Sequence, residues 1–136
     1  MGSRIKMSNP PTMPKPGGAY SHVTRVSAGD LLFIAGQVGI DTSGKVAGKD
    51  LETQAAQVFA NLRAALQSEG ADFRNIVQLT TYLVDSRDIP KLRAWRDQHY
   101  PQFFPDAQYP PNTLLVIDRL ASEDIRLEIA AIAALD

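Results

Sequence analysis

Three short segments that read as β-strands are apolar on both sides of their zigzag, and this limits the fold more than any other feature of the chain. Residues 31–35 (Leu-Leu-Phe-Ile-Ala), 113–117 (Thr-Leu-Leu-Val-Ile) and 129–135 (Ile-Ala-Ala-Ile-Ala-Ala-Leu) lack the clean apolar–polar alternation of a sheet with one face in water. Two segments carry helices, and two helices can cover only one face of a sheet made from such strands. The second face needs another cover, and the simplest is another copy of the same chain. At about 25 cal/mol per Å² of apolar area, leaving it in water would forfeit several kcal/mol.

The first helix is written in residues 50–69, where Leu51, Ala55, Val58, Phe59, Leu62, Ala65 and Leu66 recur at three- and four-residue intervals. Asp50 is placed to cap its N-terminus and Gly70 its C-terminus. A second helix is expected to start at Asp88 as N-cap, with Pro90 in its first turn, where a missing N–H does no harm. Ile89, Leu92 and Trp95 form its inner stripe, which leaves Arg93, Arg96 and Asp97 on or near the outer face. The four prolines of residues 101–111 predict a loop.

Strands are expected at residues 20–26, 31–35, 76–84, 113–120 and 125–133. The first two read as a hairpin through Ser27-Ala-Gly29-Asp30, and a turn at Ser122-Glu-Asp124 joins the last two. The predicted order is β-β-α-β-α-β-β, an α+β class. Residues 1–15 show no periodicity and predict a flexible N-terminal arm outside the fold, while residues 16–136 read as a single domain.

Composition removes several chemistries. The absence of cysteine excludes disulfides, thiolate nucleophiles and cysteine-based metal sites. His22 and His99 lie far apart and no HExxH or closely spaced His/Asp pattern occurs, so no metal site is expected. Charges of both signs are interspersed with a formal net charge of −1, and the basic stripe of a nucleic-acid binder is missing. No apolar run approaches the roughly twenty residues of a membrane-spanning helix, and no secretory signal pattern opens the chain; a cytoplasmic protein is expected. Gly17-Gly18 lacks the lysine and the strand-turn-helix context of a phosphate loop.

Several segments, taken together, resemble the RidA/YjgF family, also known as endoribonuclease L-PSP, from about Gly17 to Leu135. They are Tyr20-Ser21, the run from Leu32 to Gln37, Gln54 through Asn61-Leu62, Val77 to Asp85, Pro110 to Leu120, and Leu127-Glu128-Ile129. The resemblance implies a chorismate-mutase-like fold with two helices packed on one face of a mixed sheet, a homotrimer, and ligand clefts between its subunits. It also implies hydrolysis of reactive enamines and imines, such as 2-aminoacrylate, to 2-keto acids and ammonia without a cofactor. In the family an arginine clamps the substrate carboxylate and a glutamate near the end of the last strand positions the attacking water.

Carried over position by position, the resemblance makes Glu128 the catalytic carboxylate and Tyr20 the aromatic lid. The arginine is replaced by Asn112. The family's common serine ahead of Gly36-Gln37 is Ala35, and its frequent cysteine is Leu114. Tyr20, Ala35, Gly36, Asn112, Thr113 and Leu114 are the substrate contacts this implies. Arg93 joins them as the candidate on the second helix, and Arg93 or Arg96 could supply the missing cation from another direction. Exchanging a charged planar fork for a neutral amide should cost about 1.5–3 kcal/mol in holding a carboxylate.

Each of these residues also admits a plainer role. Glu128 could pair with a cross-strand base such as Arg119, and Tyr20 could be a core aromatic. Asn112 could serve its turn, Arg93 and Arg96 could form a solvated helix face, and His22 could be a surface strand residue. Two functions therefore stand. One is a RidA-like deaminase acting on 2-aminoacrylate or on a larger unsaturated amino acid such as an aminomuconate. The other is a non-catalytic small-molecule-binding or regulatory trimer that keeps the cleft. Ribonuclease activity, implied by the family's older label, lacks a basic groove and a histidine pair.

Overall fold

The structure, a computed structural model, describes residues 4–27 and 29–135. Along the chain run β1 (Ile5–Ser8), β2 (Val23–Val26), β3 (Leu31–Val38), α1 (Leu51–Ser68), a 3-10 turn (Phe73–Asn75), β4 (Ile76–Leu83), α2 (Asp88–Phe103), β5 (Asn112–Val116) and β6 (Leu127–Ala134). The main sheet has the order β3-β6-β4-β5, with β5 parallel to β4 and the other pairs antiparallel. Both helices pack on one face of this mixed sheet, as an α+β chain of this pattern requires. Among the described residues no helix is long and apolar enough to cross a membrane.

α1 forms where its periodicity places it. The Asp50 carboxylate accepts from the Thr53 backbone N–H at 2.9 Å, and Gly70 takes the left-handed conformation, φ 74°, that ends the helix. Its Val58, Phe59, Leu62 and Leu66 are buried against Leu79, Leu127, Ile129 and Ala131 of the sheet.

Four expectations are corrected. Residues 5–8, read as part of an arm outside the fold, form β1 and pair with β2 from Ile5↔Val26 to Ser8↔Val23. β2 therefore does not form a hairpin with β3. The turn at residues 122–124 forms as expected, with the Ile125 N–H donating to the Ser122 carbonyl at 3.2 Å, and the strands on either side of it are not neighbours, because β6 enters between β3 and β4 while β4-α2-β5 makes a parallel crossover. Asp88 is the first helical residue and not the cap, and its buried carboxylate takes both Nε and Nη2 of Arg126 at 3.0 Å. Finally, α2 runs through Pro101 to Phe103. Phe103 lies between Phe59 and Phe73, at 5.1 and 4.6 Å between ring centres, and this aromatic packing outweighs the hydrogen bond the proline removes.

The face away from the helices is open and partly apolar. Phe33 is 74 % exposed, with Leu31 and Leu115 also exposed, and Phe33 stands opposite Ile132. The strands that read as doubly apolar thus bury one side under the helices and present the other to solvent in a single chain.

Candidate functional site

Asn112 opens β5 in parallel register with Leu79 of β4, which turns it toward the helix side of the sheet edge. There a cavity of about 490 Å³ lies between β5, α2 and the segment preceding β2, lined by Tyr20, Arg93, Arg96, Asp97, Asn112 and Leu114 together with Gly17 and Gly18. The Tyr20 hydroxyl accepts from the Gly17 backbone N–H at 3.4 Å, and its ring stands edge-on to His22 at 5.6 Å. It forms a wall of the cavity and is not a core aromatic.

A hydrogen-bond chain crosses the cavity floor. Arg96 Nη2 donates to Thr81 Oγ1 at 3.1 Å, and Thr81 donates onward to Asn112 Oδ1 at 2.8 Å. The Arg96 guanidinium also lies 5.6 Å from the centre of the Tyr100 ring, and burial pushes the Tyr100 hydroxyl above its ordinary pKa. The sequence reading put Arg96 near the outer face and missed Thr81. A signal was present, because Asp88, Leu92, Arg96 and Tyr100 are spaced by four and share one side of α2, where Leu92 and Tyr100 are buried.

Glu128 stands elsewhere. It pairs in register with Tyr82 of β4, on the open face of the sheet, while its neighbours Leu127 and Ile129 are fully buried beneath the helices. A β-bulge interrupts β3 between Ile34 and Gln37, and Gln37 Nε2 braces it by donating to the Ala35 carbonyl at 2.9 Å. Glu128 lies over the glycine of that bulge: a Cβ on Gly36 would fall 2.6 Å from its carboxyl carbon. Only glycine leaves this approach open. Arg119 pairs with Glu123 at 3.1 Å and not with Glu128, which forms no salt bridge among the described residues.

The predicted residues therefore fall into two groups within one chain. Tyr20, Arg93, Asn112 and Leu114 share the cavity at the β5 edge. Ala35, Gly36 and Glu128 lie on or beside the open face, with Thr113, opposite Thr80, exposed there too. Gln54 and Asn61, which contribute to the family resemblance, are braces. Gln54 holds the carbonyls of Gly48 and Asp124 and accepts from the Arg126 N–H, and Asn61 holds the carbonyls of Val38 and Ile40. They fix the end of β3 and the start of β6, the strands that carry Gly36 and Glu128.

Known proteins resemble this chain in sequence and fold. The family model for endoribonuclease L-PSP matches residues 11–135. A RutC family protein of Pyrococcus horikoshii is 35 % identical over 121 residues, 88 % of this chain and 90 % of the relative. A Rid-family crystal structure from Yersinia pestis superposes with a TM-score of 0.87 at 33 % identity, covering 97 % of this chain and 99 % of the other. The crystal structure of Escherichia coli TdcF with bound serine gives a TM-score of 0.71 at 25 % identity over 96 % and 99 % of the two chains. TdcF, whose name refers to reactive intermediate deamination, is 28 % identical over 124 residues, 90 % of this chain and 92 % of its own. With the match running from the segment ahead of the cavity through the strand that carries Glu128, the chain belongs to the endoribonuclease L-PSP family, that of RidA and YjgF.

Proposed function

We propose that the chain is a RidA-like deaminase that hydrolyses a reactive enamine or imine of an amino acid to a keto acid and ammonia, in a site completed between subunits of a homotrimer. The observation that carries this reading is a carboxylate, Glu128, with no ion partner among the described residues, laid over a glycine bulge on an open and partly apolar sheet face. Glu128 takes a proton from a water that attacks the iminium carbon and returns it to the carbinolamine nitrogen, whose C–N bond breaks to release ammonia as the carbonyl forms. Asn112, Thr113 and backbone amides orient the substrate. Because Asn112 and Glu128 face opposite ways in one chain, a second copy has to bring the cavity of one subunit to the carboxylate of the next. A ring built on head-to-tail contacts does this, and exposed Phe33 supplies apolar area for it.

A cavity of about 490 Å³ also has room for a substrate larger than 2-aminoacrylate, such as an aminomuconate. The reading is of a cytoplasmic, cofactor-free enzyme of small molecules. Its test combines light scattering with a rate measurement on 2-aminoacrylate generated in situ. Three chain masses and keto acid release above the spontaneous rate are expected. A lone protomer with Glu128 in bulk solvent would end the proposal.

A second reading, a binding or regulatory trimer without turnover, is favoured by the neutral Asn112 and by the apolar Ala35 and Leu114. It predicts that a keto acid at a hundred times its dissociation constant stabilises the protein by about 2.7 kcal/mol while no substrate is consumed. Thermal melting against a panel of keto acids and unsaturated amino acids measures this. A flat panel removes the reading.

A further inference from the structure

Resting on the reading of the β5-edge cavity as the ligand site, we infer that Arg96 is the anchor for a ligand carboxylate there, acting from helix α2 together with the amide of Asn112. The cavity carries two guanidinium groups, Arg93 and Arg96, against one carboxylate, Asp97. Arg96 has the more specific surroundings. Its Nη2 is committed to Thr81, its Cζ lies over the Tyr100 ring, and its Nε is buried with no hydrogen-bond partner among the described residues. An unpaired buried donor is costly to keep, and because Nε itself is closed to solvent, an acceptor meets Arg96 through the part of the side chain that lines the cavity.

The chain from Arg96 through Thr81 also sets what Asn112 offers. Thr81 accepts a hydrogen bond from Arg96 and donates its own to Asn112 Oδ1, so the acceptor end of the amide is engaged and its NH₂ remains for the ligand. With the Tyr20 oxygen already accepting from Gly17, its O–H is a further donor on the wall. Apart from the Asp97 carboxylate, the groups that meet a ligand are thus donors around a fixed positive charge, which suits an anion with two adjacent oxygens. Arg93 lies one turn away and is exposed, where solvent screens its charge.

Titration calorimetry with pyruvate and with pyruvamide, its neutral amide, tests the assignment on the wild type and on Arg96→Gln, Arg96→Lys and Arg93→Gln. Wild type is expected to bind pyruvate at least about tenfold more tightly than pyruvamide. Arg96→Gln should weaken pyruvate by about 10- to 100-fold and leave pyruvamide within about twofold. Arg96→Lys keeps the charge but not the planar fork and should lose an intermediate factor; Arg93→Gln should lose less than about threefold. Where Arg96→Gln does not fold, Arg96→Lys decides, since an unchanged pyruvate affinity in that variant overturns the assignment. Equal losses for both probes, or a loss carried by Arg93, overturn it too. Wild type that binds both probes equally removes the Arg96 anchor and leaves deamination standing, whereas wild type that binds neither removes the cavity as a ligand site and the deaminase reading with it.

Discussion

Glu128→Gln is expected to lower the rate of keto acid release from 2-aminoacrylate by about 10²–10⁴-fold, the usual contribution of a positioned general base. The amide keeps the shape of the side chain over Gly36 and removes its capacity to take a proton. Stability should change by no more than about 0.5 kcal/mol, because among the described residues no salt bridge of Glu128 is broken and no buried cation is left behind. This separation of rate from stability is what distinguishes a catalytic carboxylate from a strand charge kept for pairing. Stopped-flow detection of the keto acid and a melting curve supply both numbers, and a variant as fast as wild type would remove Glu128 from the chemistry.

How far such a site can be read from the residues depends on the range of the interactions that build it. α1 was legible because everything that defines it is local: a cap at Asp50, a three- and four-residue stripe, and a left-handed glycine at position 70. β1 was not. Its four residues carry no turn signal, and their partner β2 begins fifteen residues further on, so nothing nearby marks Ile5 to Ser8 as a strand. The insertion of β6 between β3 and β4 is likewise a matter of long-range pairing, to which a turn at residues 122–124 gives no clue.

The site shows the same division. Tyr20, Asn112 and Leu114 were found through the family resemblance and do share a cavity, yet the resemblance did not say that Glu128 would face away from them in the same chain. Arg96 was misplaced for a different reason. Its charge points to a solvent-facing position, whereas the four-residue spacing from Leu92 to Arg96 to Tyr100 puts the arginine on the inner stripe. Long charged side chains can lay their stems along apolar surface and deliver the head group to a cavity edge.

The same spacing reaches back to Asp88, and here the largest loss of stability is expected. Arg126→Met should destabilise the fold by about 3–5 kcal/mol, because it strands a carboxylate whose side chain is 0 % exposed. Arg126 grips Asp88 with two hydrogen bonds of 3.0 Å, and these raise the guanidinium's own pKa. Lys91, at 3.7 Å and itself 55 % exposed, is too solvated to take over. Asp88→Leu alone should cost less than Arg126→Met, since the Arg126 side chain is 32 % exposed and can turn its charge to water. Combining the two should recover most of the loss, as replacement of a whole buried pair by apolar side chains is often neutral. Urea unfolding of the four proteins gives the coupling energy, and additive losses would show that the pair is not a unit. The position of the pair explains why the chain keeps it despite that neutrality. It ties the first turn of α2 to the residue just ahead of β6, whose N–H is held from α1 by Gln54, two residues before Glu128. The apolar double variant should therefore fold, but with a less fixed entry to β6, and its deaminase rate should fall below that of the wild type even as its melting recovers.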